Sequence, residues 1–319
     1  MNKQLTLGVD LGGTNIRVAL VDREGRVQAK AVHKTESAQG GEHVVRRVEA
    51  AIEELLNDNK AKLPAIAGIG IGSAGLIDVR EKTVLYAGNL GWNNVPLGRL
   101  LEEKFQLPLR LANDANAAAL AEWLWGKAKG KSNLLLVSIG TGVGGGVISG
   151  GRLLEGVGGG ASEIGHMSVD IHGPECGCGN RGCLELYASG TAIGRRAEER
   201  RVAALAEGRA GIRTAPWPSA VEVRQSALEG DALAQEIIQE TAYYLGMGVV
   251  NLIHLFNPEE ILFTGGVMDS ETFLLPEVIA AIKQRCIPAL YNQITGIGLA
   301  SLGGEAGLLG AAGLHFVEA

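Results

Sequence analysis

The chain has 319 residues, 46% hydrophobic and 20% charged, with a formal net charge of −6. That length suggests two packed lobes rather than one small core, and the acidic balance gives no electrostatic footprint for a nucleic-acid partner. The longest apolar run, around LLLVSIGTGVGGGVI, is broken by glycines, a serine and a threonine, which makes it a poor membrane span.

The N-terminus MNKQLTLGVDLGG reaches an aspartate and a glycine pair before a signal-like stretch could form, so a cytoplasmic location is expected. Leu5 to Val9 reads as a buried strand. Ile16, Val18 and Leu20 alternate as a second, and a turn at Asp22 to Gly25 leads to a third. In the turn Asp10-Leu11-Gly12-Gly13-Thr14-Asn15, the two glycines let backbone amides approach a phosphate. Thr14 adds a hydroxyl, and Asp10 could hold Mg²⁺ through water. The competing reading is a plain hairpin turn.

Residues 42–57 have helical spacing, with Val44, Val45, Val48, Ile52, Leu55 and Leu56 on one face, and Ala65 to Ile71 reads as a further strand. In the stretch Ala87-Gly88-Asn89-Leu90-Gly91-Trp92, Asn89 is a candidate for sugar hydroxyls and Trp92 for a pyranose face, although asparagine-rich stretches also make turns. A strand over Leu109 to Leu111 runs into Asn113-Asp114 and an alanine-rich helix reaching Gly126. Asp114 then has two readings, a helix N-cap or a base taking the proton of an attacking hydroxyl.

From Asn133 the opening pattern returns. NLLLVSIGTGVGGGVISGG superposes Ser138 on Asp10, Gly140 on Gly12 and Thr141 on Gly13, which suggests two related lobes. A second small-residue turn, Gly140-Thr141-Gly142, would clamp a polyphosphate from the other side. His166, Cys176, Cys178 and Cys183 form a set suited to a tetrahedral, structural Zn²⁺. Such an ion would stiffen a loop carrying Glu163, His166 and Glu185. Cys286 reads as a buried hydrophobe. Residues 196–216 read as charged and loop-like, 231–255 as a helix, Ile261 to Phe263 as a strand before the turn Thr264-Gly265-Gly266, and Glu305 to about Phe316 as a last helix.

These motifs, above all GTGVGGG, EIGH and CGCGNRGCLE, resemble those of the ROK family of bacterial sugar kinases, most closely its glucokinases. The resemblance implies an α/β, actin-like (ribonuclease H-like) ATPase fold. Two lobes would each hold a mixed sheet, with a cleft between them. The smaller lobe would comprise 1–114 plus about 305–319, and the larger 115–304, with the zinc loop over 166–183. It implies transfer of the ATP γ-phosphate, with Mg²⁺, to the 6-hydroxyl of glucose, with Asp114 as the base.

Asn89, Asn113, Glu163, His166, Glu185 and the backbone at Gly75 would bond the sugar, with one His166 nitrogen on zinc. Gly12, Gly13, Thr14, Thr141 and Gly142 would line the phosphates, and Gly265 and Gly266 the nucleoside. A homodimer or dimer of dimers is implied, with neither nucleic acid nor membrane as partner. Ser73-Ala74-Gly75 departs from the proline-containing loop of many members. The family's repressors carry an N-terminal helix-turn-helix, whereas this sequence begins on the first strand. Alternatives are a kinase for N-acetylmannosamine, fructose, mannose or allose, a non-catalytic sugar-binding regulator, or an actin-like filament protein. The zinc loop and the sugar-binding carboxylates argue against the last.

Overall fold

The computed structural model describes residues 4–209, 215–217, 219–268 and 274–317. The elements are β1 (Leu5–Leu11), β2 (Asn15–Asp22), β3 (Val27–Lys34), α1 (Gly41–Asp58), β4 (Ile66–Ser73), β5 (Leu76–Asp78), β6 (Thr83–Ala87), β7 (Trp92–Val95), α2 (Leu97–Phe105), β8 (Leu109–Asn113), α3 (Asp114–Leu124) and β9 (Leu134–Ile139). They continue through β10 (Val143–Ser149), β11 (Arg152–Leu153), α4 (Glu185–Ala188), α5 (Gly190–Ala206), α6 (Ala220–Leu228), α7 (Ala232–Phe256), β12 (Glu260–Thr264), α8 (Leu275–Arg285), α9 (Pro288–Tyr291), β13 (Gly296–Leu299) and α10 (Ala306–Gly313).

Two compact units result, one of Met1–Ser132, Gly146–Ser162 and Ser301–Ala319, the other of Asn133–Gly145 and Glu163–Ala300. The first five-stranded sheet has the order β3-β2-β1-β4-β8 and the second β11-β10-β9-β12-β13. Numbering each sheet's strands from its own first gives the same order, 3-2-1-4-5, in both. In the first sheet β1 to β3 are antiparallel neighbours, while β4 lies parallel to both β1 and β8. In the second, β12 lies parallel to β9 and β13. The duplication read from the turns thus extends to whole mixed sheets. A separate antiparallel sheet joins β5, β6 and β7.

The central strands are apolar because both faces are covered. In β1, Leu7, Val9 and Leu11 are buried, and in β4, Ile69 and Ile71. The small-residue helix α10 packs against them closely. A Cβ on Gly70 would stand 1.8 Å from the Ala311 oxygen, and one on Gly310 would stand 1.6 Å from the Ala117 oxygen. Helix α1 buries Val44, Val48, Ala51, Ile52 and Leu55 on the stripe its spacing predicts.

Four expectations need correction. The segment expected to be loop-like at 196–216 contains the second half of α5, and its residues 210–214 lie outside the described ones. Its arginines hid the helix, because it lacks an apolar stripe. Arg196 is buried with Nη2 2.6 Å from Glu240, and buried Arg201 grips Glu198 with Nη2 at 2.6 Å. The last helix ends at Gly313, and 314–316 form turns. Trp92 offers no sugar face: it is 2% exposed, and its indole nitrogen donates to the Gly41 oxygen at 2.9 Å.

The fourth concerns the division expected at 114/115. The contacts group α3 and 146–162 with the first unit. There α3 packs against α10, and its buried Glu122 carboxylate accepts from Ser301 N (2.7 Å), Leu302 N (2.6 Å) and Lys127 N (2.9 Å). Glu122 carries no motif, and sequence reasoning passed over it.

Candidate active site

In the first unit, strand β8 ends at Asn113 and α3 begins at Asp114. The helix start is capped by Asn113, not Asp114. The Asn113 Oδ1 accepts from Ala115 N at 2.9 Å and Asn116 N at 3.4 Å, while its Nδ2 donates to the Gly75 oxygen at 3.2 Å. Gly75 has φ +106°, and a Cβ there would meet the Tyr86 oxygen at 2.2 Å, so this close approach requires glycine.

With the cap filled, Asp114 is the first helical residue. One of its oxygens accepts from Ala115 N at 2.8 Å. The residue is open to solvent, yet protein crowds the carboxyl enough that desolvation raises its pKa, against the opposing Ala115 N–H. An accessible carboxylate with raised basicity suits proton abstraction better than capping.

Asp10 ends up nearby in charge, since Asp114 is among the groups that raise its pKa. Burial contributes most to that rise, and Arg17 opposes it. The Arg17 guanidinium sits 2.6 Å from Asp10 Oδ2. Sequence reasoning overlooked Arg17, whose only signal was an inward charge on a strand otherwise apolar. The phosphate-turn candidates follow. Gly12 N donates to the Asn15 oxygen at 3.0 Å. The hydroxyl of buried Thr35 donates to the Gly12 oxygen at 2.6 Å and that of Ser37 to the Gly13 oxygen at 3.2 Å. Thr14 is exposed. Asn89 lies against this turn, 3.3 Å from where a Gly13 Cβ would be.

In the second unit, Gly140 N donates to the Gly142 oxygen at 2.9 Å and Gly190 N to the Gly140 oxygen at 2.8 Å. The Thr191 hydroxyl donates to the Thr141 oxygen at 2.8 Å. This turn therefore rests on the N-terminus of α5, where Ser189 caps by accepting from Ala192 N at 3.1 Å. A helix N-terminus beside a glycine turn favours anions. A cavity of about 720 Å³ opens there, lined by Thr141, Gly190, Thr191, Arg195, Arg224 and Gly266 among others. Gly265 and Gly142 are not in its wall. Gly265, with φ +94°, lies against Ile139, and Gly142 faces the Glu185 carboxylate. The α5 contribution was missed, although Ser-Gly-Thr at 189–191 is a cap signal.

Glu185 accepts from Val143 N at 3.1 Å, joining an expected sugar ligand to the phosphate turn. Glu163 is exposed just before a helical turn at Ile164–His166. His166, Cys176, Cys178 and Cys183 bring one ligand atom each to within 4.8 Å of one another. The Cys178 and Cys183 sulfurs stand 3.7 Å apart, too far for a disulfide. Tetrahedral zinc with bonds of about 2.3 Å spaces its sulfurs by about 3.8 Å. The His166 Nδ1 faces Cys176 Sγ at 3.7 Å, which leaves Nε2 on the far side of the ring. Burial pushes the Cys183 thiol up to about 12, a cost that a bound divalent cation offsets. The donor set fits zinc.

The two mixed α/β sheets are those of the actin-like ATPase fold. The chain matches the ROK family over residues 6–316 and belongs to it. It is 35% identical to a glucokinase of Halalkalibacterium halodurans, covering 97% of this chain and 94% of that one. It is similar to the crystal structure of a ROK glucokinase from Streptomyces griseus in complex with glucose and AMPPNP (34% identity, TM-score 0.78, 97% and 98% covered). It is also 31% identical to a xylose repressor of Bacillus spizizenii over 98% of this chain and 78% of the repressor. Among the described residues no helix is long and apolar enough to cross a membrane.

Proposed function

We propose that this chain is an ATP-dependent hexose kinase that phosphorylates the 6-hydroxyl of glucose, with Asp114 as its base. The observation that carries this reading is the occupied cap. Because Asn113 caps the helix start, the Asp114 carboxylate is left with a single neighbouring amide, Ala115 N, against the desolvation that raises its pKa. In this reading the ATP phosphates lie on the Gly140–Gly142 turn and the start of α5, and the nucleoside enters the cavity beside Gly266. The first turn, Gly12 to Thr14, adds amides and a hydroxyl.

Mg²⁺ would be held by Asp10 through water and would neutralise phosphate charge. The single Asp10 carboxylate, already paired to Arg17, suits that indirect mode. Sugar hydroxyls are taken by Asn89, Asn113, Glu163, His166, Glu185 and the backbone at Gly75. Asp114 removes the proton of the attacking hydroxyl. Zinc, held by His166, Cys176, Cys178 and Cys183, would stiffen the loop that presents His166 Nε2.

A second reading, a sugar-responsive regulator, is favoured by the similarity to the xylose repressor. A coupled ADP-release assay with Mg-ATP against glucose, N-acetylmannosamine, mannose, fructose and allose separates the two. The kinase reading expects the highest kcat/KM for glucose. Binding of a sugar with no turnover on any of them would favour the regulator.

A further inference from the structure

The first unit holds another cavity, of about 560 Å³, lined by none of the site residues assigned above. Its apolar wall includes Leu109 and Leu111 of β8, Leu120 and Trp123 of α3, and Leu314 and Phe316 after α10. Lys82, Arg110 and Arg152 also line it, against the single carboxylate of Glu155. Three cations facing one acid stand out in a chain whose net charge is −6.

Among the described residues, two of the cations make no ion pair. Lys82 is paired to Glu102. Arg110, however, donates through Nη1 to the neutral carbonyls of Leu314 (2.5 Å) and Val317 (3.1 Å), so its charge persists. Arg152 is exposed and makes no ion pair among the described residues. Two guanidiniums with no ion pair among the described residues, beside an apolar wall with two aromatic rings, complement a molecule having both features.

We propose that this cavity binds an organic anion with a flat apolar body, its carboxylate, sulfonate or phosphate held by Arg110 and Arg152. The position gives such a ligand a consequence. Strand β8 runs into Asn113 and helix α3 starts at Asp114, so the occupant touches both elements that meet at that carboxylate. The effect on turnover rests on the kinase reading above, whereas the binding does not.

The test uses 8-anilinonaphthalene-1-sulfonate titrated calorimetrically into the full chain with saturating ADP present, so that the nucleotide cavity is filled. One saturable site is expected, with slowed amide hydrogen exchange over 109–124. Arg152→Glu should weaken binding about tenfold or more, as for a reversed charge beside an anion, while Arg152→Lys keeps it within about threefold. Val317→Trp, which fills the cavity from its rim, should abolish it. Non-saturable binding, or equal affinity in Arg152→Glu and Val317→Trp, would overturn the proposal.

Discussion

At Asn113 and Asp114 two neighbouring polar residues divide two tasks, and only the backbone shows which takes which. Either could cap a helix by composition. The difference lies in one position: Asn113 is the extended residue before the helix, and Asp114 is already helical. The two substitutions should therefore move stability in opposite directions. Asn113→Ala removes the cap and should cost about 1 kcal/mol, read as a lower urea midpoint at unchanged m-value.

Asp114→Asn should hold or raise the midpoint at neutral pH. Folding raises the Asp114 pKa, so its ionised form weighs against the folded state above the ordinary carboxylate range. That penalty fades as pH falls through the folded pKa. The gain from Asp114→Asn should accordingly shrink in acid. For the same reason kcat/KM should fall on the acid side with a midpoint above 3.8. The candidate residues were legible because phosphate turns and thiol clusters have short, local signatures. Thr35, Ser37, Arg17 and Glu122 were not, since each works on a partner that only folding brings near, such as Ser301 for Glu122.

Among the elements, α10 and the zinc loop show how much the sequence left implicit. The Ala306–Gly313 helix reads as apolar all round, as a buried helix should. Its close seat on α3 and β4 depends on missing Cβ atoms. On propensity alone Gly310→Ala would stabilise a helix by about 1 kcal/mol. Here the new Cβ would lie 1.6 Å from a backbone oxygen, and overpacking of about 1–3 kcal/mol or more should win. Thermal unfolding of the variant checks the sign. Strands β1 and β4 were readable because burial on both faces leaves continuous apolar runs. Helix α5 was not, because buried arginines paired to partly exposed carboxylates replace its apolar stripe.

The loop of the Cys/His cluster is tied down by the Tyr187 hydroxyl, which donates to Asp170 Oδ2 at 2.9 Å, while its ring stacks on Tyr244 at 3.9 Å. That anchoring supports the loop from α4, and the zinc proposed above would add to it. Cys178→Ser should lower zinc content by elemental analysis and raise the sugar KM more than it lowers kcat. Full zinc retention would remove Cys178 from the ligand set.

For the molecule as a whole, the shared 3-2-1-4-5 order carries the argument from one turn to two related halves. The repeat was visible only as superposed turns, because nothing but small residues at 10–14 and 138–142 has to be kept for such hairpins. The rest of each sheet is free to vary while staying apolar. Asp114 belongs to the first unit and the 720 Å³ cavity to the second. The two assignments should therefore fail separately. Losing the base should spare sugar affinity, whereas zinc loss should not.

The most direct measurement compares the wild-type chain with Asp114→Asn, using coupled ADP release for turnover and calorimetry for glucose binding. The account predicts that kcat falls by about 10² or more, the loss expected for a general base, while glucose affinity stays within a few-fold. Turnover in Asp114→Asn within a few-fold of wild type would contradict it and return Asp114 to the helix start as a spectator.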